Sequence, residues 1–426
     1  MRQQNAAFAA GLGAHFGSGF GTGSGPRFGD DAPVVRSAEV EAQDPDAIRK
    51  LVQKLGKGPF SIVLMFIAPS VDRVALARQI KAEVPWGRVM GCSTAGELTA
   101  EGYDEDKILA VGFPVEHFGV ETILVPELKT CLSQDLMSGL IRARQILAQR
   151  YPHFEHEFAM LLVDGLSERE DALTAALSSG LGPVPLFGGS AGDGVRFKET
   201  FLLNGRQITE NAAMLTFFRT HCPVRVFSCD HFQVTEKRMV VTEAEPDTRV
   251  VKEINAEPAA TEYARLIGQD PAALNDQVFA ANPVVVQVGG KHHVRAIKAV
   301  EPNGDMSFFA AIDQGLVLTL AEPKDMVGHL TRTLDTLARP AAPEMVLAFD
   351  CIFRRVEAEQ TQRKAEVSAL LRKHKVRGFS TYGEQIGAIH VNQTFTGVAI
   401  YPPGTEMSEG DLTACSGAAS AEGAPE

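Results

Sequence analysis

The heptapeptide GCSTAGE at residues 91–97 has two counterparts further along the chain, GGSAGDG at 188–194 and GFSTYGE at 378–384. Each begins with a glycine, reaches a serine two residues later and follows an apolar stretch that is typical of a strand. Glycine beside a strand end suits a turn with unusual backbone angles or the close approach of another group. The repetition indicates three copies of one structural unit.

Each copy has the same order of predicted elements. A first strand (SIVLMFIAP, FAMLLVDG or EMVLAFDC) is followed by a helix, then by the strand that ends in glycine and serine, then by a polar turn and a closing strand (KILAVGF, AAMLTFF or FTGVAIY). Apolar residues spaced three to four apart predict helices over residues 71–84, 167–181 and 355–374. The closing strands alternate or are continuously apolar, as strands in the core of a sheet are.

The segment between the second and third copies, residues 222–340, has a different pattern. It contains a series of short β-type runs, and a helix is predicted at 259–268. We therefore predict an α/β fold of the mixed α+β kind, with repeated strand-helix-strand-strand units around mixed sheets and a β-rich insert before the last unit. The predicted organisation is a disordered tail at 1–32, domains at 33–220 and 221–403, and a second disordered tail at 404–426.

Composition and charge argue against several classes of protein. A net charge of −12 and an isoelectric point near 5.5 are unlike those of a nucleic-acid-binding protein. No apolar run approaches the ~20 residues of a membrane span. The six cysteines are scattered and form no CxxC pair, which argues against a disulfide framework or a four-cysteine zinc site. We expect a reducing, cytoplasmic compartment and no contact with nucleic acid or membrane.

Two catalytic or nucleotide-binding interpretations of the repeated motif fail on its surroundings. GGSAGDG matches the G-x-S-x-G nucleophile elbow, but that elbow requires a helix directly after the serine, and RFKETFLLN alternates like a strand instead. A phosphate-binding P-loop needs a lysine that reaches the phosphates, whereas all three copies carry a glutamate or aspartate there. We therefore predict no catalytic residues.

The polar side chains of the three turns are the predicted ligand site. If the turns lie at matching strand ends, these side chains converge on one polar cavity; the alternative is that they only satisfy the backbone of their own turns. Arg295, on a strand of the insert, is a candidate bidentate clamp for a carboxylate. The predicted ligand-binding residues are Ser93, Thr94, Glu97, Ser190, Arg295, Ser380, Thr381 and Glu384.

The histidines are candidate ligands for a metal or a haem iron. His221, Cys222, Cys229 and His231 lie within eleven residues, so two adjacent strands could bring them into a soft-ligand site. Their spacing matches no common zinc pattern. Taken singly, each histidine is more often a satisfied core or surface residue than a ligand.

Several of these motifs, in this order, resemble the FIST family. They are GCSTAGE followed by AVGF, the stretch VVTEAEPDTRVVKEINAEPAATEYARLIG, and GFSTYGEQ followed by HVNQTFTGVAIY. The resemblance runs from about residue 34 to residue 401 and covers paired FIST N-terminal and FIST C-terminal domains. It implies a sensory module of bacterial signal transduction that binds a small ligand, is not catalytic and acts beside a separate kinase or cyclase.

The stretch SCDHFQVTEK, at 228–237, is similar to a group of stand-alone FIST proteins of the NosP type, which resemble haem proteins that sense nitric oxide. That likeness implies haem b as cofactor, with His231 as the iron ligand and His390 or His293 as alternatives. It also implies nitric oxide as the signal and, as partner, a separately encoded histidine kinase or cyclic-di-GMP pathway.

The other interpretation of the resemblance is a receptor without haem that binds an amino acid or a similar small metabolite. In that case Arg295 would take the carboxylate and Glu97 or Glu384 the amine. A homo-oligomer is left open in both cases.

Overall fold

The computed structural model describes residues 33–130, 135–288 and 290–408, so the predicted N-terminal tail and residues 409–426 of the C-terminal one lie outside it. The described residues form a mixed α+β fold of four sheets, each mixed or antiparallel, as predicted. Strands and helices are numbered along the chain. Within the described ranges, no helix combines the length and the hydropathy needed to cross a bilayer.

Three sheets of six strands form a body with one sheet for each copy. In spatial order, sheet 1 contains β1 (Arg36–Glu41), β6 (Lys107–Pro114), β2 (Phe60–Ile67), β3 (Val89–Ser93), β10 (Leu202–Asn204) and β11 (Gln207–Thr209). Sheet 2 contains β7 (Phe118–Val125), β12 (Ala213–Thr220), β8 (His156–Val163), β9 (Leu186–Ser190), β24 (Glu384–Ile386) and β25 (Ile389–Val391). Sheet 3 contains β13 (Val224–Cys229), β26 (Phe395–Ile400), β22 (Met345–Cys351), β23 (Val376–Thr381), β4 (Glu97–Thr99) and β5 (Gly102–Asp104).

The fourth sheet belongs to the insert, a name kept below for residues 232–323. It contains, in spatial order, β18 (Lys291–Arg295), β17 (Val284–Val288), β21 (Val317–Pro323), β14 (Phe232–Glu245), β15 (Val250–Ile254), β20 (Met306–Phe308) and β19 (Ile297–Val300), while β16 (Glu257–Pro258) pairs with β15. The helices among the described residues are α1 (Ala47–Leu55), α2 (Arg73–Glu83), α3 (Asp135–Arg150), α4 (Glu170–Leu181), α5 (Ala259–Ile267), α6 (Asp276–Ala281), α7 (Met326–Leu337), α8 (Ile352–Gln360) and α9 (Lys364–Lys373).

The three body sheets share one plan. In each, the first strand of the copy pairs in parallel with the strand that contains the motif serine and antiparallel with the closing strand. The hairpin that completes the sheet comes from another copy: β10–β11 joins sheet 1, β24–β25 joins sheet 2 and β4–β5 joins sheet 3. The copies therefore exchange hairpins in a closed cycle.

The motif serines hold these exchanged hairpins through their backbone. The N–H of Ser93 donates to the carbonyl of Phe201 at 3.0 Å, that of Ser190 to Gly383 at 2.8 Å, and that of Ser380 to Gly96 at 2.7 Å. Three equivalent hydrogen bonds thus join each copy to the next.

The first glycine of each motif allows the two parallel strands to approach. A Cβ on Gly91 would lie 2.0 Å from the carbonyl oxygen of Met65, one on Gly188 would lie 2.7 Å from that of Leu161, and one on Gly378 would lie 1.7 Å from that of Ala348. Real Cβ atoms do not approach so closely, and a strand backbone cannot move without breaking its ladder. The glycine is required at the same place in all three copies.

The inner faces of the three body sheets enclose one central core. Alternate residues of β2 show the pattern: Leu64 and Phe66 point into this core, whereas Val63 and Met65 pack on the outer face, in the cluster formed with α1 and α2. Helices α3 and α4 cover sheet 2 in the same way, and α7, α8 and α9 cover sheet 3. Burial on both faces explains why these strands are almost continuously apolar.

Several elements differ from the sequence-based expectation. The predicted helix over 355–374 is two helices, α8 and α9, separated by a turn in which Gln362 has a positive φ of 58°. Helices α1, α3, α6 and α7 are absent from the sequence-based prediction. Strand β13, expected in the β-rich segment, belongs to sheet 3, where it pairs with β26. The predicted domain boundary between residues 220 and 221 stays a prediction.

Replacing the motif glycine should destabilise the body far more than an unconstrained glycine would. We expect Gly91→Ala to lower the free energy of unfolding by about 1–3 kcal/mol or more, because the new methyl group overlaps the Met65 carbonyl. Gly87→Ala is the matched control, since nothing lies within 4 Å of a Cβ there. Urea unfolding measures both, and equal stabilities for the two variants would contradict the close-approach explanation.

Candidate functional site

The three motif turns meet beside the central core. The carbonyl of Ser93 accepts from the N–H of Gly192 at 3.1 Å, that of Ser190 from Tyr382 at 3.2 Å, and that of Ser380 from Ala95 at 2.9 Å. These contacts run in the same cyclic order as the hairpin exchange. The turns are therefore brought together, and each contacts its neighbour through backbone.

Most of the predicted hydroxyls are used inside the protein. Ser93 Oγ accepts from the N–H of Phe201 at 3.0 Å, and the hydroxyls of Thr94 and Thr381 donate to Glu97 and Glu384 respectively. All of these groups are buried. Ser93 thus holds the start of another copy's hairpin, and the two threonines hold the glutamates of their own turns. A role of these residues in ligand binding stays a prediction.

The other two motif serines, Ser190 and Ser380, have hydroxyl contacts unlike those of Ser93. Ser190 Oγ lies 3.0 Å from Gln385 Nε2 and 3.4 Å from Glu170 Oε1, so it belongs to a polar cluster at the junction of the body and the insert. Ser380 Oγ is buried without a hydrogen-bond partner.

The two motif glutamates play equivalent structural roles. Glu97 accepts from the N–H of Lys107 at 3.2 Å, and Glu384 from the N–H of Thr394 at 3.1 Å, where the closing strand of each copy begins. Burial is the main influence on both carboxyls: it raises the pKa of Glu97 to about 7 and that of Glu384 to about 8. Both carboxyls therefore hold a proton over part of the neutral pH range.

In the second copy, a different residue accepts the hydrogen bonds that the motif glutamates accept in the other two. Gly194 occupies the position equivalent to the two glutamates, and Asp164, at the end of the first strand, takes their place. Its carboxylate accepts from the N–H groups of Asn211 and Leu166 and from the hydroxyl of Thr200. In every copy a carboxyl beside a strand end thus accepts from buried backbone donors.

Arg295 is buried and only partly satisfied. Its Nη1 donates to the carbonyl of His390 at 2.6 Å, while its Nε is buried without a partner. Burial lowers the pKa of this guanidinium. Asp171, Arg249 and Asp313 are the charged groups that act on Arg295, and neither Glu97 nor Glu384 is among them.

Arg249 anchors the insert to the body, and sequence reasoning did not identify it. Its Nη2 donates to Glu170 at 2.6 Å and lies 3.5 Å from Asp171, and its Nη1 donates to the carbonyl of Phe309. The N–H of Ala311 also donates to Asp171 at 3.0 Å. These contacts tie two loops of the insert to the start of α4, where acidic residues are favoured.

A cavity of about 250 Å³ lies between the insert and the body. From the body it is lined by Val195, Phe197, Phe353 and Gln393, and from the insert by Phe279, Ala280, Ile297, Lys298 and Phe309. None of the eight predicted ligand-binding residues lines it. Four aromatic rings with one cation and one amide make it an apolar site with polar groups that can orient a ligand.

The cavity is adjacent to the motif turns through its body residues. The Phe197 ring stacks on Tyr382 of the third turn with centroids 4.3 Å apart, and Tyr382 donates to Asp193 of the second turn. Phe309 of the insert contacts both Phe197, at 5.6 Å, and Phe353, at 5.1 Å. A ligand here would touch the insert and side chains that rest on the turns.

A second cavity, of about 490 Å³, lies over sheet 1 between the end of α2 and the β10–β11 hairpin. Trp86 and Arg206 are among its lining residues. This cavity receives no residue from the insert. His231, His293 and His390 line neither of the two cavities.

His231 has both ring nitrogens engaged. Nε2 lies 2.9 and 3.0 Å from the two carboxylate oxygens of Glu357, and Nδ1 lies 2.8 Å from Nη1 of Arg354. Arginine only donates, so Nδ1 accepts and Nε2 carries the proton that is given to Glu357. An iron ligand needs a free lone pair on one nitrogen. In this arrangement, His231 does not fit the role of haem ligand.

The two alternative histidines have different surroundings. His390 is buried, its Nδ1 lies 3.2 Å from Gln385 Nε2, and its ring packs against Gly383. His293 is half-buried on β18, opposite Val286. Burial lowers the pKa of both imidazoles. Haem binding stays a prediction from the sequence.

The raised pKa of Glu384 makes stability depend on pH in a defined direction. Between the ordinary glutamate pKa of about 4.3 and the folded value of about 8, the folded chain holds a proton that the unfolded chain has released. Stability should therefore fall as pH rises through this window. Glu384→Gln, which resembles the protonated acid, should reduce that slope by up to about 1.4 kcal/mol per pH unit.

Urea unfolding from pH 5.5 to 8.5 measures this slope, and Glu322→Gln, at an exposed position of β21, is the control. Glu97 keeps its own share of the slope in both variants. A full wild-type slope in Glu384→Gln would contradict a protonated Glu384.

Comparison with known protein families finds two domains in the chain. The FIST N domain matches residues 61–257 and the FIST C domain matches residues 259–387. No curated protein matches the chain. Domains of these two kinds are sensory, small-ligand-binding modules of signal transduction. The chain belongs to the FIST family, with a FIST N domain followed by a FIST C domain.

Proposed function

We propose that this protein is a sensor whose small ligand binds in the cavity between the insert and the body. The observation that carries the proposal is the lining of that cavity: four phenylalanine rings together with Lys298 and Gln393. Its volume of about 250 Å³ is below the roughly 300–1,000 Å³ of pockets for drug-sized ligands. The ligand is accordingly a small metabolite.

The chemistry of the lining favours a ligand with an apolar body and one carboxylate. Aromatic rings supply the apolar contact, Lys298 supplies a cation and Gln393 supplies an amide donor. Lys298 Nζ lies 3.9 Å from Glu168, a loose pair that a ligand carboxylate could replace. An amino acid with an apolar side chain meets these requirements, and its amine could face Glu168. Lys298 thus takes the role that sequence reasoning gave to Arg295.

Ligand binding at this position would change how the insert is held. The ligand would contact residues on both sides of the junction that Arg249 and Glu170 clamp. A ligand that contacts both sides favours the arrangement in which they are close, and it shifts the population accordingly. We propose that a separate signalling protein, such as a histidine kinase, senses this shift through contact with the sensor.

The proposal is tested by ligand-induced stabilisation of the full chain. Apolar amino acids at millimolar concentration should raise the melting temperature, because a ligand at 100 times its Kd adds about 2.7 kcal/mol to the folded state. Ala280→Phe, which fills the cavity, should abolish the rise. Lys298→Gln should weaken it, whereas Lys252→Gln, on β15 outside the cavity lining, should not. A rise that persists in Ala280→Phe would contradict this site.

Haem with nitric oxide as the signal is the second proposal, and the SCDHFQVTEK stretch supports it. For His231 to bind iron, its ring would have to leave Glu357 or Arg354. The absorbance spectrum of the same protein separates the two proposals. A stoichiometric Soret band that shifts when nitric oxide is added would support the haem proposal. Absence of a Soret band after titration with haem would rule that proposal out.

A further inference from the structure

Two turns at one end of sheet 2 bring together residues that are far apart in the chain. His117 lies in the turn between β6 and β7, and His221 and Cys222 lie between β12 and β13. Phe118 pairs with Thr220 across the β7–β12 ladder, so the residues next to them, His117 and His221, continue beyond the end of the same pair of strands. The strand register therefore sets their proximity.

The three side chains converge on a small volume. His117 Nδ1 lies 2.9 Å from His221 Nε2, and one ligand atom from each of His117, His221 and Cys222 lies within 4.8 Å of the others. In a tetrahedral zinc site, bond lengths of about 2.0–2.1 Å to nitrogen and 2.3 Å to sulfur place the ligand atoms roughly 3.3–3.6 Å apart. Small side-chain rotations convert one arrangement into the other.

Metal ions can reach this cluster from solvent, but its thiol must lose a proton before it can bind one. Burial lowers the pKa of the His117 imidazole, and burial together with the nearby His117 and His156 lowers that of His221. Both histidines are half-buried, which leaves a route from solvent. Cys222 is buried and its pKa is raised to about 11, so a metal ion must displace the thiol proton to bind the sulfur.

We propose that His117, His221 and Cys222 form a binding site for a thiophilic divalent cation such as Zn²⁺, with the fourth coordination position open to solvent. Two imidazoles and one thiolate are ligands of the kind that zinc prefers. Binding releases one proton from the Cys222 thiol to solvent and leaves the oxidation states unchanged. The site would cross-link the β6–β7 and β12–β13 connections.

The soft-ligand cluster considered from sequence contains two of the three residues of this site. His221 and Cys222 belong to it, whereas His231 is held by Glu357 and Arg354 and the thiol of Cys229 lies on β13. His117, more than a hundred residues away in sequence, replaces them. Only the strand pairing reveals it.

Cobalt is a spectroscopic probe for this site. We expect Co²⁺, added to the reduced full chain purified without a histidine tag, to produce a thiolate-to-cobalt absorption band that saturates at one ion per chain. Zn²⁺ should remove the band by displacing the cobalt. His117→Ala and His221→Ala should each weaken Co²⁺ binding about tenfold or more, since loss of even an outer-shell partner costs 10–100-fold.

Two cysteine variants complete the test. Cys222→Ser should abolish the band, and Cys229→Ser, which removes a thiol outside the cluster, should leave it unchanged. Because Cys222 is buried, loss of the band in Cys222→Ser could come from a disturbed fold. His117 is only half-buried, so His117→Ala should disturb the fold less and serves as the comparison. Absence of a thiolate band in the wild-type chain, or a band that survives in His117→Ala and His221→Ala with unchanged affinity, would overturn the proposal.

Discussion

Three backbone hydrogen bonds between the motif serines and the hairpins of other copies are the constraint on which the body depends. Each of the three sheets takes its last two strands from another copy. No copy can complete its own sheet alone, and the exchange closes after three steps. The FIST N and FIST C domains are therefore units of sequence whose strands combine in shared sheets.

The same constraint explains the chemistry of the motif turns. Where three turns meet, their backbone groups are buried and need partners. Ser93 Oγ and the carboxyls of Glu97 and Glu384 each accept a hydrogen bond from a backbone N–H group. The hydroxyls of Thr94 and Thr381 donate to these two carboxyls. These side chains are therefore engaged in contacts within the protein. The cavity instead lies beside the turns, where aromatic residues of the insert and of the body face each other.

Polar contacts at the junction between the insert and the body connect the surroundings of the cavity to the rest of the protein. A buried arginine, Arg249, links the insert to α4 through Glu170, and Ser190 of the second motif contacts the same glutamate. On the other side, His231, one residue before the insert, contacts Arg354 of α8. Both contacts involve charged groups that are buried in the body, so a change in the insert position requires their rearrangement.

Sequence patterns predicted the three copies, most of their strands and the β-rich insert, because periodicity and glycine placement are local signals. They did not predict the exchange of hairpins, since alternation fixes which face of a strand is buried but not which strand lies beside it. The cavity was missed for a related reason: Phe197, Phe279, Phe309 and Phe353 belong to four distant segments. His117 lies beside His221 and Cys222 only because β7 pairs with β12, which the sequence does not show.

Amide hydrogen exchange, followed by mass spectrometry, is the most direct test of the hairpins shared between the three copies. Peptides that cover residues 88–97, 184–194 and 375–384 contain the amide groups of Ser93, Ser190 and Ser380. If each sheet depends on another copy, the three peptides should exchange only when the whole protein unfolds. Their free energies of opening should then equal that of global unfolding, and added urea should lower all three free energies equally. An opening that exposes one peptide while the other two stay protected would contradict the account.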